Sequence, residues 1–272
     1  MSTRQLIHRL DRPAFAGIPD AGRRKSSSGK QAGFDRLALI VAVIAGFLTF
    51  AAPAQAQVFS TCAQWGQYTQ GSWTIYNNIW GANAGAQCLT VNSIKSWYVD
   101  ADHSGGGVKS YPSTGVQPQT TLAQLDSAGY WYNTSSAPVA GSDGWDWTGD
   151  IWSSGNLDEI MTFASWSGTA GGWGTQIASN VTIGGVLYAS VWQANPGWNV
   201  LQFIPAQQSN TGSVDVSAVW RWAASKNLLH NTTLSSMAFG IEITSTSGVQ
   251  KQYSLNSYSA WWSNTSGGGS TI

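Results

Sequence analysis

The chain has 272 residues, of which only 10% are charged, with thirteen basic and thirteen acidic side chains and sixteen tryptophans. Residues 1–56 hold eight of the thirteen Lys and Arg but no Trp, so the remaining 216 carry five basic against ten acidic groups, a net charge of −5. No basic stripe with interleaved aromatics exists, which excludes a nucleic-acid partner, and the length beyond the leader suits one domain.

In chain order, the basic leader ends in the apolar run "LALIVAVIAGFLTFAA" (37–52) and the small-residue stretch "APAQAQ". This is the pattern of a secretory signal cleaved near Ala56, and the run is short for a membrane span. The expectation is an exported protein with no membrane association after cleavage, a domain over 57–262 and a flexible Gly/Ser tail over 263–272. Cys62 and Cys88, the only cysteines, fall just beyond the cleavage site. In an oxidising compartment their natural reading is a disulfide rather than two buried free thiols. Neither His103 nor His230 has further ligands at suitable spacing, so no metal site is expected.

Short alternating runs separated by Gly, Ser, Asn and Pro follow, among them "GSWTIYNNIW", "AGYWYNT", "VTIGGVLYASVWQ", "MAFGIEIT" and "YSLNSYSAWW". They predict an all-β fold of two packed antiparallel sheets, a sandwich or jelly roll. One segment differs. In "DVSAVWRWAASKN" the apolar Val216, Val219, Trp220 and Ala223 keep helical spacing, Asp215 can cap the start and Asn227 the end, which predicts one short helix.

Sixteen Trp exceed what a sandwich core of this size absorbs, so some should line a groove where they can stack on sugar rings. The two glutamates of the chain, Glu159 and Glu242, both sit inside strand-like runs, where Glu is disfavoured. By strand parity Glu159 shares a face with Met161 and Phe163, and Glu242 shares one with Gly240 and Thr244. Two carboxylates on one sheet face are what glycoside hydrolysis needs.

The motifs "WTIYNNIWG", "VKSYP", "DIWSS", "DEIM", "WNVLQF" and "FGIE" occur in this order over residues 60–262, and with them the chain resembles glycoside hydrolase family 12. The resemblance implies a secreted, retaining endo-β-1,4-glucanase folded as a β-jelly roll with a concave substrate cleft, acting without metal or organic cofactor. It implies Glu159 as nucleophile, Glu242 as general acid/base and Asp150 as the carboxylate that holds the nucleophile. Asn78 and Trp80 would bind a glucosyl unit on the non-reducing side, with Met161 beside the reacting sugar. "EIMTF" and "GIEIT" depart from the family's usual "EIMIW" and "GTEPF". Phe163 therefore replaces a cleft-facing Trp, and the wall beside Glu242 is altered, which bears on whether plain cellulose, mixed-linkage β-glucan or xyloglucan is preferred. The competing expectation is a secreted glucan-binding jelly roll without catalysis. A monomer is expected, because an open cleft needs no partner subunit.

Overall fold

In the computed structural model, residues 56–135, 143–168 and 171–272 are described; the expected leader, apart from Ala56, lies outside them. The strands in chain order are β1 (Phe59–Thr61), β2 (Gln67–Gln70), β3 (Trp73–Tyr76), β4 (Gln87–Ser93), β5 (Ser96–Ala101), β6 (Ser113–Val116), β7 (Thr120–Thr121), β8 (Leu125–Thr134), β9 (Gly144–Ser153) and β10 (Asp158–Ser167). They continue as β11 (Thr175–Ile183), β12 (Val186–Ala194), β13 (Asn199–Pro205), β14 (Thr211–Asp215), β15 (Thr233–Ser245), β16 (Lys251–Asn264) and β17 (Gly269–Thr271), with the helix α1 (Val216–Ser225) between β14 and β15.

Two sheets form the sandwich expected for a jelly roll. One runs β1-β4-β5-β16-β8-β14, with β17 on β16, and the other runs β11-β12-β13-β10-β9-β15-β6-β3-β2, with β7 on β15. Pairing is antiparallel except between β10 and β13, which run parallel. Parity sorts each strand of the large sheet into a core face and a cleft face. Ile160 and Ala164 of β10 and Phe239, Ile241 and Ile243 of β15 enter the main core, whereas Met161 and Phe163 belong to a separate apolar cluster on the cleft side. At the centre of the core, Phe239 stacks on Tyr132, Trp147 and Tyr258, with ring centroids 4.7, 5.9 and 6.0 Å away.

The helix forms as its spacing dictates. Val216, Val219, Trp220 and Ala223 are buried, and the Asp215 carboxylate accepts from the Ala218 N–H at 2.8 Å, satisfying one of the free donors at the helix start. Beyond its end Asn227 takes a left-handed φ of 56°. Cys62 and Cys88 are joined, linking the segment after β1 to β4.

Within the tail expected to be flexible, the fold places a short strand. Gly269–Thr271 pairs with Trp261–Ser263, and the Ile272 N–H and carbonyl bond to Ala260 and Ser259. Strand pairing satisfies the backbone groups of the segment.

Candidate active site

The cleft face is read directly from the register of β10, β9 and β15, since cross-strand partners point to the same side of a sheet. Successive rows are Glu159–Trp152–Ser236, Met161–Asp150–Ala238, Phe163–Thr148–Gly240 and Trp166–Asp146–Glu242. Glu159, Asp150 and Glu242 therefore share one face. Asp150 stands diagonally beside Glu159, while Glu242 lies opposite Asp146, six positions along β9 from the row of Glu159. The middle of the face is low, because Ala238, Gly240 and Thr148 offer little side chain. Gly240 is required there: a Cβ at that position would come within 2.1 Å of the Pro112 carbonyl oxygen.

The row of Glu242 continues across the sheet. Bridges Ile79↔Ser110 and Ser110↔Ile243 place Tyr111 next to Glu242 and Asn78 next to Tyr111. Asn78, held at a left-handed φ of 45°, donates from its side chain to the Tyr111 carbonyl at 3.2 Å. Trp80 is half-buried one step further along, its N–H on the Lys109 carbonyl at 3.0 Å. The expected sugar-binding pair thus reaches the same side of the cleft as Glu242. Tyr111 donates its hydroxyl to the Thr148 carbonyl at 3.0 Å. Burial raises its pKa well above the usual tyrosine value, and the charges of Asp150 and Glu242, together with neighbouring tyrosines, add to that rise. It remains a neutral donor set between the two acidic ends of the trough.

At the other end Glu159 is buried, and the Trp198 indole donates to its Oε2 at 2.7 Å. Trp198 leans on Trp152, ring centroids 5.9 Å apart. Met161 and Phe163, placed by parity on this face, are buried together with Val200 beneath the half-buried Trp166, Trp173 and Trp198. Only five of the sixteen Trp are buried in the core, so the surplus does go partly to the cleft.

Three supporting residues escaped the sequence. Trp198 sits in the quoted "WNVLQF", but its reach to Glu159 depends on the parallel β10–β13 register. Asp158, also within a quoted motif, accepts from the His230 and Asn231 N–H groups, the Asn199 amide and the His230 ring, all at 2.9–3.0 Å. It thereby ties the start of β10 to the loop after α1. Burial alone would raise the pKa of Asp158, but these hydrogen bonds overcome it and hold the carboxyl below its ordinary value.

His103 was read from sequence as an isolated histidine, yet it centres a buried network. The Gly85 N–H donates to its Nδ1 at 3.1 Å, which puts the ring proton on Nε2, 3.0 Å from the side-chain Oε1 of Gln87. Gln87 in turn donates to the backbone carbonyl and side chain of Asn77, and Lys109 donates to the Ala82 and Gly106 carbonyls. The network fixes the loops that carry Asn78 and Trp80. Among the described residues no group of three or more His, Cys, Asp or Glu gathers as metal ligands would.

No family model matches the chain. It is 30% identical over 176 residues to xyloglucan-specific endo-beta-1,4-glucanase A of Emericella nidulans, a match covering 57% of this chain and 71% of that protein. It is likewise 30% identical over 186 residues to a probable xyloglucan-specific endo-beta-1,4-glucanase A of Aspergillus fumigatus, covering 61% and 76%. Among solved structures, the xyloglucanase domain of NopAA from Sinorhizobium fredii, in complex with cellobiose, superposes with a TM-score of 0.68 at 26% identity, covering 75% of this chain and 98% of that one. Endoglucanase 3 of Trichoderma harzianum, from family GH12, shares the fold with a TM-score of 0.65 at 24% identity, covering 74% and 96%. Taken with the strand order and the acidic trough, this degree of identity across more than two thirds of a relative shows that the chain belongs to glycoside hydrolase family 12.

Proposed function

We propose that the chain is a secreted, monomeric, retaining endo-β-1,4-glucanase with xyloglucan as its preferred polymer. The observation that carries the reading is the pairing of a buried Glu159, held by the Trp198 indole beside Asp150, with Glu242 on the same trough face. The names of the relatives support xyloglucan, and the basic, apolar leader supports export.

In this reading the glucan lies along the low middle of the face, gripped at one end by Trp80 and Asn78. Glu159 attacks the anomeric carbon while Glu242, protonated, releases the leaving oxygen; water activated by Glu242 then cleaves the glycosyl ester, with net retention. Retention calls for carboxyl groups about 5–5.5 Å apart. On a flat sheet six positions correspond to roughly 20 Å along the strand. The mechanism therefore requires β10, β9 and β15 to coil strongly around the trough, and the stereochemical outcome reports whether they do.

The reading is tested by reducing-end release and viscosity on xyloglucan, barley β-glucan and carboxymethylcellulose. Wild type should thin xyloglucan fastest and the Glu159→Gln protein should leave all three intact. Glucan binding without cleavage by wild type would instead favour the non-catalytic binding protein.

A further inference from the structure

The outward face of the smaller sheet, opposite the cleft, carries a feature that the cleavage reaction does not use. Trp131 of β8 points away from the core and is 37% exposed. It is flanked by Ser213 of β14 and Ser259 of β16, its register partners. One diagonal step away Trp261 pairs with Gly129, and a Cβ at Gly129 would meet the Trp261 ring at 2.6 Å. Glycine at this position lets the indole lie against the strand instead of standing off it. Two large rings thus sit on neighbouring strands at a diagonal, a spacing of about 7–8 Å between Cα atoms.

The row continues with Asn133 and its partner Ser257, both turned to the same side and both accessible. The charged side chains along this strip are carboxylates at its borders: Asp100, Asp126 and, on the edge strand β14 opposite Gly129, Asp215, whose side chain caps α1. Two strand-borne indoles with no function in the core, bordered by hydroxyls, an amide and the hydrogen-bond-accepting carboxylate of Asp215, match a neutral polyhydroxylated chain. The rings offer faces for pyranose stacking, and the Ser and Asn groups bond hydroxyls. A phosphorylated or acidic polymer would find no cation here, and a protein partner would find hydroxyl-bearing positions where a dry apolar centre is wanted.

We infer that this outer strip, centred on Trp131 and Trp261, is a second β-glucan-binding site that holds polymer outside the cleft. The inference rests on the proposed glucanase reading for the identity of its ligand. It predicts that the enzyme anchors on long chains while short oligosaccharides bind only at the cleft.

Because Asn133-Thr134-Ser135 is an N-glycosylation sequon, the test uses mature protein from a host that does not glycosylate it, and the probe is soluble xyloglucan in native affinity electrophoresis. In a Glu159→Gln background, which removes cleavage, Trp131→Ala should weaken retardation about tenfold, the effect of losing one stacking ring. Trp131→Ala alone should hydrolyse cellotetraose like wild type but lose activity on the polymer. Because Trp131 is exposed, the variant should keep the unfolding midpoint of the parent, and Ser259→Arg supplies a second block of the strip without removing a ring. Equal retardation of the parent, Trp131→Ala and Ser259→Arg proteins would overturn the site even if cleavage is normal. Trp131-dependent retardation without any hydrolysis by wild type would uphold the site while removing the glucanase reading. A parent dimer that Trp131→Ala converts to monomer would assign the face to self-association and overturn the inference.

Discussion

Trp198 reaches the proposed nucleophile through a side-chain hydrogen bond. Its indole donates to Glu159 Oε2 at 2.7 Å, a charge-assisted bond that fixes where the carboxylate points. Trp198→Phe keeps the ring against Trp152 but removes the donor, and should lower kcat on xyloglucan about tenfold, the worth of one such bond. A rise in KM at unchanged kcat would show that the ring merely contacts substrate. Glu242→Gln, which removes the proposed proton donor, should cost about 10²- to 10⁴-fold in kcat/KM on xyloglucan. The loss should be smaller on an aryl glucoside whose leaving group needs no protonation, and an equal loss on both would contradict the assigned role. At this scale the sequence revealed the rarity of Glu and the face each one occupies, because strand parity is local. It did not reveal Trp198, because contact between distant strands depends on register.

At the scale of elements, β10 is anchored at its start by Asp158, whose carboxylate collects four donors from Asn199, His230 and Asn231. Since the folded pKa lies below the unfolded value, the stabilisation is present above the ordinary carboxylate pKa of about 3.9 and is lost as pH falls through the lower folded value. Asp158→Asn should lower stability at neutral pH by about 1–3 kcal/mol in urea unfolding and flatten the loss in acid. An unchanged midpoint would mean that the loop after α1 is held some other way. His103 acts in a higher window. Burial, assisted by Lys109, depresses its pKa to about 4. Between pH 6.5 and about 4 the unfolded chain therefore binds a proton that the folded protein refuses, and stability falls as pH drops through that range. His103→Gln should remove that slope, as read by unfolding midpoints across the window. Elements with a local signature were legible in the sequence: α1 by its spacing and Asp215, and the strands by alternation between turn residues. The parallel β10–β13 pair and the bulge after Phe163 were not, since both arise from the way separate strands meet.

For the whole molecule, the two-sheet sandwich was legible from the number and spacing of strands, and the Cys62–Cys88 link from the position of the only two cysteines just beyond a leader-like segment. The pairing of β17 with β16 in the tail was not legible, because composition is local and strand pairing is not. Closing the loop between cysteines 26 residues apart should contribute about 3.5 kcal/mol. Replacing both Cys with Ser should lower the midpoint of urea unfolding accordingly, and an unchanged midpoint would show that the link adds nothing to the folded state. The central claim, that Glu159 becomes covalently glycosylated while Glu242 serves as acid and base, is tested most directly by mass spectrometry of protein treated with a 2-deoxy-2-fluoro-cellobioside bearing an activated leaving group. The account predicts one added cellobiosyl unit on the peptide containing Glu159, absent from Glu159→Gln. An adduct on a different carboxylate, or turnover of xyloglucan to the inverted anomer with no adduct, would contradict it.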